Sequence, residues 1–336
     1  MDGESGRPGT PRWVEVLLVL VVVGFLAYVA WVSLGSARRG RPVVPAGRPV
    51  EVWYADPTFQ FLVPAVKRVG AQFMAGMPIP QVAMELLKTP PAGLLSPLPG
   101  QEAPLIMVAA AAQATVQIAL PASVGASQER LLIGAVVRTL TSLPEIRSVR
   151  ILAVDAAGRP REGHEDTSKP FTARSAEVRN AWDSPGTAPI TVWFKLAGSR
   201  YLLPLDMAPP VADGPIEAAL TALAGGPPRG VAGLAPAVPE EAGLRFVGQE
   251  GTTLRVEWTR PDVPADPGAQ DRLITATVLT LTELPGTTRV RFESPAGPLA
   301  RRVGPYDLLL DVAGHTARAA LEIKAAAPSP PPEQAS

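Results

Sequence analysis

Few residues in the chain are equipped for chemistry. His164, Glu165 and Asp166 stand side by side, and such a trio can supply a metal ligand or an acid and base pair. They fall in a charged, turn-rich stretch, whereas a catalytic or metal site needs ligands held by a rigid shell, so a solvated loop is expected. His315 follows Gly314 at an expected hairpin turn, where histidine is tolerated for backbone reasons. The absence of cysteine excludes disulfides, thiolate metal sites and cysteine nucleophiles. No G-x-S-x-G, H-E-x-x-H or Walker-type loop occurs, and Gly225-Gly226 before Pro227 reads as a helix end. The expectation is a non-enzymatic protein without catalytic residues, metal or cofactor.

A surface for recognition is the alternative to a reaction. Trp53 and Trp193 sit at equivalent strand positions and can either stack on sugar rings or fill a core, with core packing the better reading. Arg150, Arg289 and Arg291 can face an anionic wall polymer or an acidic partner; the plainer reading is a wet sheet face balanced by cross-strand carboxylates. These five residues form the candidate interaction surface. Lys+Arg 31 against Asp+Glu 31 removes the uniform basic field that nucleic acid would need. Asparagine occurs only at Asn180 and arginine outnumbers lysine, which a GC-rich source explains without any function.

The elements that must position these residues begin with an apolar run. Val16 to Leu34 carries no charge and is long enough for a transmembrane helix, with Trp13, Tyr28 and Trp31 near its ends and Arg12 and Arg38, Arg39, Arg41 outside it. The alternative is a cleaved signal peptide, with Leu34-Gly35-Ser36-Ala37 as the cleavage region. Residues 1–15 form a short head and 16–34 the anchor. The arginines after the span outnumber those before it, which leans against export, while a short head, one early span and a large remainder is how signal anchors are built. The adopted reading is a single-pass protein with extracytoplasmic C-terminal domains.

The remainder repeats itself. Val50-Glu51-Val52-Trp53-Tyr54 parallels Ile190-Thr191-Val192-Trp193-Phe194, and Phe61-Leu62-Val63-Pro64 parallels Tyr201-Leu202-Leu203-Pro204. Each copy continues with a short helix behind a proline, around Val82 to Leu87 and Ile216 to Leu223, then a proline-rich hinge. Val137-Arg138-Thr139-Leu140-Thr141-Ser142-Leu143-Pro144 is echoed by Val278-Leu279-Thr280-Leu281-Thr282-Glu283-Leu284-Pro285, each ending a helix and preceding an alternating strand. Two further strands lie between the helices of each copy. The order per unit is β-β-α-β-β-α-β. The predicted fold class is α+β: two tandem repeats of a sheet of three to five strands covered on one face by two helices, with separate cores.

The domain reading is 50–155 for the first unit, 156–188 for an adaptable linker, 189–324 for the second unit and 325–336 for a Pro/Ala tail expected to be disordered. Tyr306 to Val312 and Thr316 to Ile323 read as an extra hairpin around Gly314.

Taken together, the V-x-V-W-Y strand, the L-V-P strand end, the A-x-x-L-L helix before a proline-rich hinge and T-L-T-x-L-P resemble the GerMN domain family, over about residues 50 to 155 and 190 to 297. The resemblance implies an extracytoplasmic protein of spore-forming bacteria, similar in fold to the ring-building modules of envelope secretion machines. It also implies a role in assembling or localising the channel complex between mother cell and forespore. Members usually carry a lipidated cysteine, which this chain lacks. The resulting expectation is a structural or docking component whose partners are envelope proteins of a sporulation assembly. The alternative is a module binding peptidoglycan or a related wall polymer.

Overall fold

A computed structural model describes residues 47–69, 77–98, 105–110, 112–155, 157–182, 189–208, 214–299 and 301–321, all within one compact unit. The expected anchor at 16–34, the head before it and the tail at 325–336 lie outside the described residues. Among the described residues no helix is long and apolar enough to cross a membrane.

The first repeat runs β1 (Arg48–Ala55), β2 (Leu62–Val69), α1 (Ile79–Leu86), β3 (Leu105–Ala110), β4 (Gln113–Ala119), α2 (Ala126–Thr141) and β5 (Ser148–Val154). The second runs β6 (Ile190–Leu196), β7 (Leu202–Met207), α3 (Pro215–Gly225), β8 (Leu234–Ala235), β9 (Leu244–Glu250), β10 (Thr253–Trp258), α4 (Pro267–Thr282) and β11 (Arg289–Ser294). Short strands β12 (Gly297–Pro298), β13 (Arg302–Val303), β14 (Tyr306–Asp307) and β15 (Val312–Ala313) follow, then α5 (Gly314–Ala320). The extra hairpin expected around Gly314 is corrected: the segment after it is helical, and His315 lies in the first turn of α5.

The single sheet expected in each unit is also corrected. β1 and β2 form a separate antiparallel hairpin, and β3-β4-β5 is a second sheet in which β4 and β5 run parallel. The second unit repeats this with β6-β7, joined on the β6 side by short β8, and with β9-β10-β11, extended by β12 and β15. Helices α2 and α4 each pack between the hairpin and the sheet of their own unit. That position explains why α2 is buried without a break from Leu131 to Val137, and α4 from Leu273 to Leu281: a helix covered on all sides is apolar all round, where a surface helix shows one stripe. Asp266 starts α4 by accepting the Ala269 N–H at 2.6 Å, with Pro267 in the first turn.

The repeated T-L-T motif has a structural reason. Trp53 lies opposite Pro64 and Trp193 opposite Pro204, and each tryptophan N–H points away from its hairpin partner. Thr139 on α2 accepts the backbone N–H of Trp53 at 3.0 Å, and Thr280 on α4 accepts the backbone N–H of Trp193 at 3.0 Å. The second threonine of each motif turns back to its own helix, Thr141 to the Val137 carbonyl and Thr282 to that of Val278. The first threonine thus ties helix to hairpin, while the second satisfies itself.

The cores expected to be separate are continuous, since buried side chains of both units form one cluster. The segment read as an adaptable linker contributes to it: Phe171 and Val178 are buried, and Phe171 exchanges backbone bonds with Val149 on the outer edge of β5. Asn180 is buried between the two hairpins. Its Oδ1 accepts the Leu62 N–H and its Nδ2 donates to the Leu62 and Pro204 carbonyls, each at 2.8 Å. Its backbone carbonyl takes the Asp206 N–H at 2.7 Å. One side chain therefore satisfies polar backbone of β2 in the first unit and β7 in the second.

Candidate functional site

The two units meet over an open cleft of about 610 Å³. Its floor is built from equivalent positions of the repeat, Trp53 on β1 and Trp193 on β6, and its walls come from the ends of α2 and α4, the 173–179 segment and α5.

Four arginines dominate the lining. Arg318 of α5 pairs with Glu51 on β1 at 3.3 Å and with Glu283 after α4, and lies 5.7 Å over the Trp193 ring. Burial alone would lower its pKa, yet the two carboxylates outweigh that cost and hold it raised. Arg179 donates to Asp206 at 2.6 Å and to Thr191 at 3.1 Å. Arg174 is exposed at the rim. Arg138 lies flat on Trp53, its guanidinium carbon 3.8 Å from the ring centroid, and burial pushes it down to about 10. It stays protonated at neutral pH, held by the indole face.

Of the five residues predicted as an interaction surface, the cleft brings together two. Trp53 and Trp193 line it, but they are only 2 % and 1 % exposed and a guanidinium lies over each. They support arginines and leave no open face for a sugar ring. Arg150 is exposed on β5, and Arg289 and Arg291 lie on β11; none of the three lines the cleft. Arg291 bonds Asp311 at 2.7 Å and Glu250 at 2.9 Å, which is the cross-strand balance of a wet sheet face.

These sheet-face pairs predict an acid sensitivity. Hydrogen bonds from Arg291 hold Asp311 below the usual carboxylate range, and those from Arg255 do the same for Glu293. A depressed folded pKa adds stability above the unfolded value of about 4, which is lost as pH falls through the folded value. Arg291→Gln is therefore expected to lower the urea midpoint slightly near neutral pH, with the gap from wild type narrowing at an acidic pH below about 4. The effect is small because these ion pairs are only partly buried and water still screens them. Urea titrations at both pH values check it.

The His164-Glu165-Asp166 trio anchors its own loop. The backbone N–H groups of His164 and Glu165 donate to buried Glu129 at 2.8 and 3.0 Å, Glu165 pairs with Arg130, and Asp166 accepts the Ser168 N–H. A Cβ at Gly163 would stand 2.1 Å from a Glu129 oxygen, so any larger residue there would push the carboxylate out of its place. Among the described residues no group of three His, Cys, Asp or Glu side chains is placed to hold a metal ion.

Sequence reasoning missed Arg138, Arg179, Arg318 and Asn180. Arg138 carried a signal as the only charge between Leu131 and Leu140, directly before the repeated threonine. Arg318 carried none, because its segment read as a strand.

The Germane family, described as sporulation and spore germination, matches residues 51–157 and 193–294. The tandem GerMN domains of the sporulation protein GerM from Bacillus subtilis align with a TM-score of 0.54 at 17% identity, covering 75% of this chain and 92% of that one. The first GerMN domain of the same protein aligns with a TM-score of 0.33 at 15% identity, over 38% of this chain and 98% of that one. No curated protein sequence matches the chain.

Proposed function

The chain belongs to the Germane family of sporulation and spore germination proteins, and from that premise we propose that it is a non-enzymatic docking component of the cell envelope, serving the assembly or localisation of a channel complex during sporulation. In this reading the apolar run at 16–34 holds it in the membrane and the two units face the extracytoplasmic side. The observation that carries the reading is the fusion of both units into one body by Asn180 and the Arg318 bridge, because a rigid scaffold presents its edges in a fixed relation. The edges themselves differ in cover. The outer edge of β5 meets Phe171 and that of β11 meets β15, whereas β9 ends its sheet. An edge strand is a ready template for a partner strand.

A photo-crosslinking residue at Val247, 39 % exposed on β9, tests this in sporulating cells. A crosslink to an envelope protein that also needs this chain for its localisation is the expected result. Correct localisation of envelope channel proteins in a strain lacking the chain would contradict the reading.

A further inference from the structure

We propose that the cleft between the two units binds a carboxylate-bearing ligand, with Arg138 as the residue that holds the carboxylate. The inference goes beyond the docking reading and does not rest on it. Among the described residues two arginines of the cleft have no carboxylate partner, Arg138 and Arg174, and of these only Arg138 lies inside the cleft, Arg174 being exposed at its rim. Glu51 and Asp206 both act on it electrostatically, but Arg318 engages Glu51 and Arg179 engages Asp206. Among the described residues no hydrogen bond or ion pair reaches the Arg138 guanidinium, although the residue is half-buried against the Trp53 ring. A desolvated guanidinium stacked on an indole is pre-organised: one flat face is spent on Trp53, and its N–H edge remains for an acceptor.

Charge decides the kind of acceptor. Arg138, Arg174, Arg179 and Arg318 face Glu51, Glu283 and Asp206, which leaves one positive charge in surplus. A carboxylate neutralises that surplus and matches the planar fork with two parallel bonds. A phosphate dianion overshoots it and meets Glu51 and Glu283 in the same lining. The open mouth and a volume of about 610 Å³ admit the end of a peptide or another small acid.

The test uses the full-length chain labelled with 15N-tryptophan and titrated separately with N-acetylalanine, its methyl ester and inorganic phosphate. The free acid is expected to shift the Trp53 indole resonance saturably, with the ester and phosphate at least about tenfold weaker. Arg138→Gln is expected to weaken acid binding by at least about tenfold, and Arg138→Lys, which keeps the charge without the fork, by less. The comparison of acid with ester in the wild-type chain stands whether or not a variant folds. Equal binding of acid and ester, tighter binding of phosphate, no saturable shift, or unchanged acid binding by a folded Arg138→Gln chain would each overturn the proposal.

Discussion

Asn180→Ala is expected to cost about 3–5 kcal/mol and to lower the melting temperature by roughly 10 °C, the largest effect of any single substitution considered. The alanine leaves the Leu62 N–H, the Leu62 carbonyl and the Pro204 carbonyl without their partner between two hairpins. Each buried orphan costs about 1–3 kcal/mol, and a cavity adds to the loss. Asn180→Asp keeps the acceptor for Leu62 but loses both donor bonds and buries a charge, so it is expected to be at least as damaging. Thermal denaturation followed by circular dichroism measures both. A loss under about 1 kcal/mol for Asn180→Ala would mean that water or backbone movement satisfies these groups.

Thr139→Val and Thr280→Val are expected to cost about 1–3 kcal/mol each and to add in the double variant. Valine keeps the shape and removes the oxygen, so the buried backbone N–H of Trp53 or Trp193 loses its acceptor. The two sites lie in different units and share no partner, which is why additivity is expected. The neighbouring threonines supply the control. Thr141→Val and Thr282→Val remove only a bond to a helix carbonyl already engaged in its own helix, so each is expected to stay within about 0.5 kcal/mol. Urea unfolding of all four variants separates the tie from the self-satisfied hydroxyl. Equal costs at the first and second threonine would contradict the assigned roles.

The repeat, its element order and the family were legible because they rest on local pattern. Alternation marks β1 and β6, proline marks the starts of α1 and α3, and T-L-T-x-L-P marks the ends of α2 and α4. What the sequence did not give away depends on partners far along the chain. Residues 157–182 look like a linker by composition, yet their polar backbone packs against β5 and β7, and Asn180 bonds residues 118 positions away. The division of each unit into hairpin and sheet was hidden because β-strands read alike whether or not they share a sheet. Its trace was the unbroken burial of α2, which a search for one apolar stripe discards. The cleft was half visible: the equivalence of Trp53 and Trp193 pointed to it, while the arginines stacked on them come from α2 and the misread α5. Arg150, Arg289 and Arg291 stood out as a charged alternation, which is also what a solvated sheet face produces.

Asn180 and the Arg318 bridge join the two units over one shared core, so they are expected to unfold together. Differential scanning calorimetry of the wild-type chain and of Asn180→Ala tests this most directly. One transition in the wild type, with calorimetric and van't Hoff enthalpies in agreement, and two in the variant is the predicted result. Two resolved transitions in the wild type would contradict joint unfolding, and with it a scaffold that holds β9 and the cleft in a fixed relation.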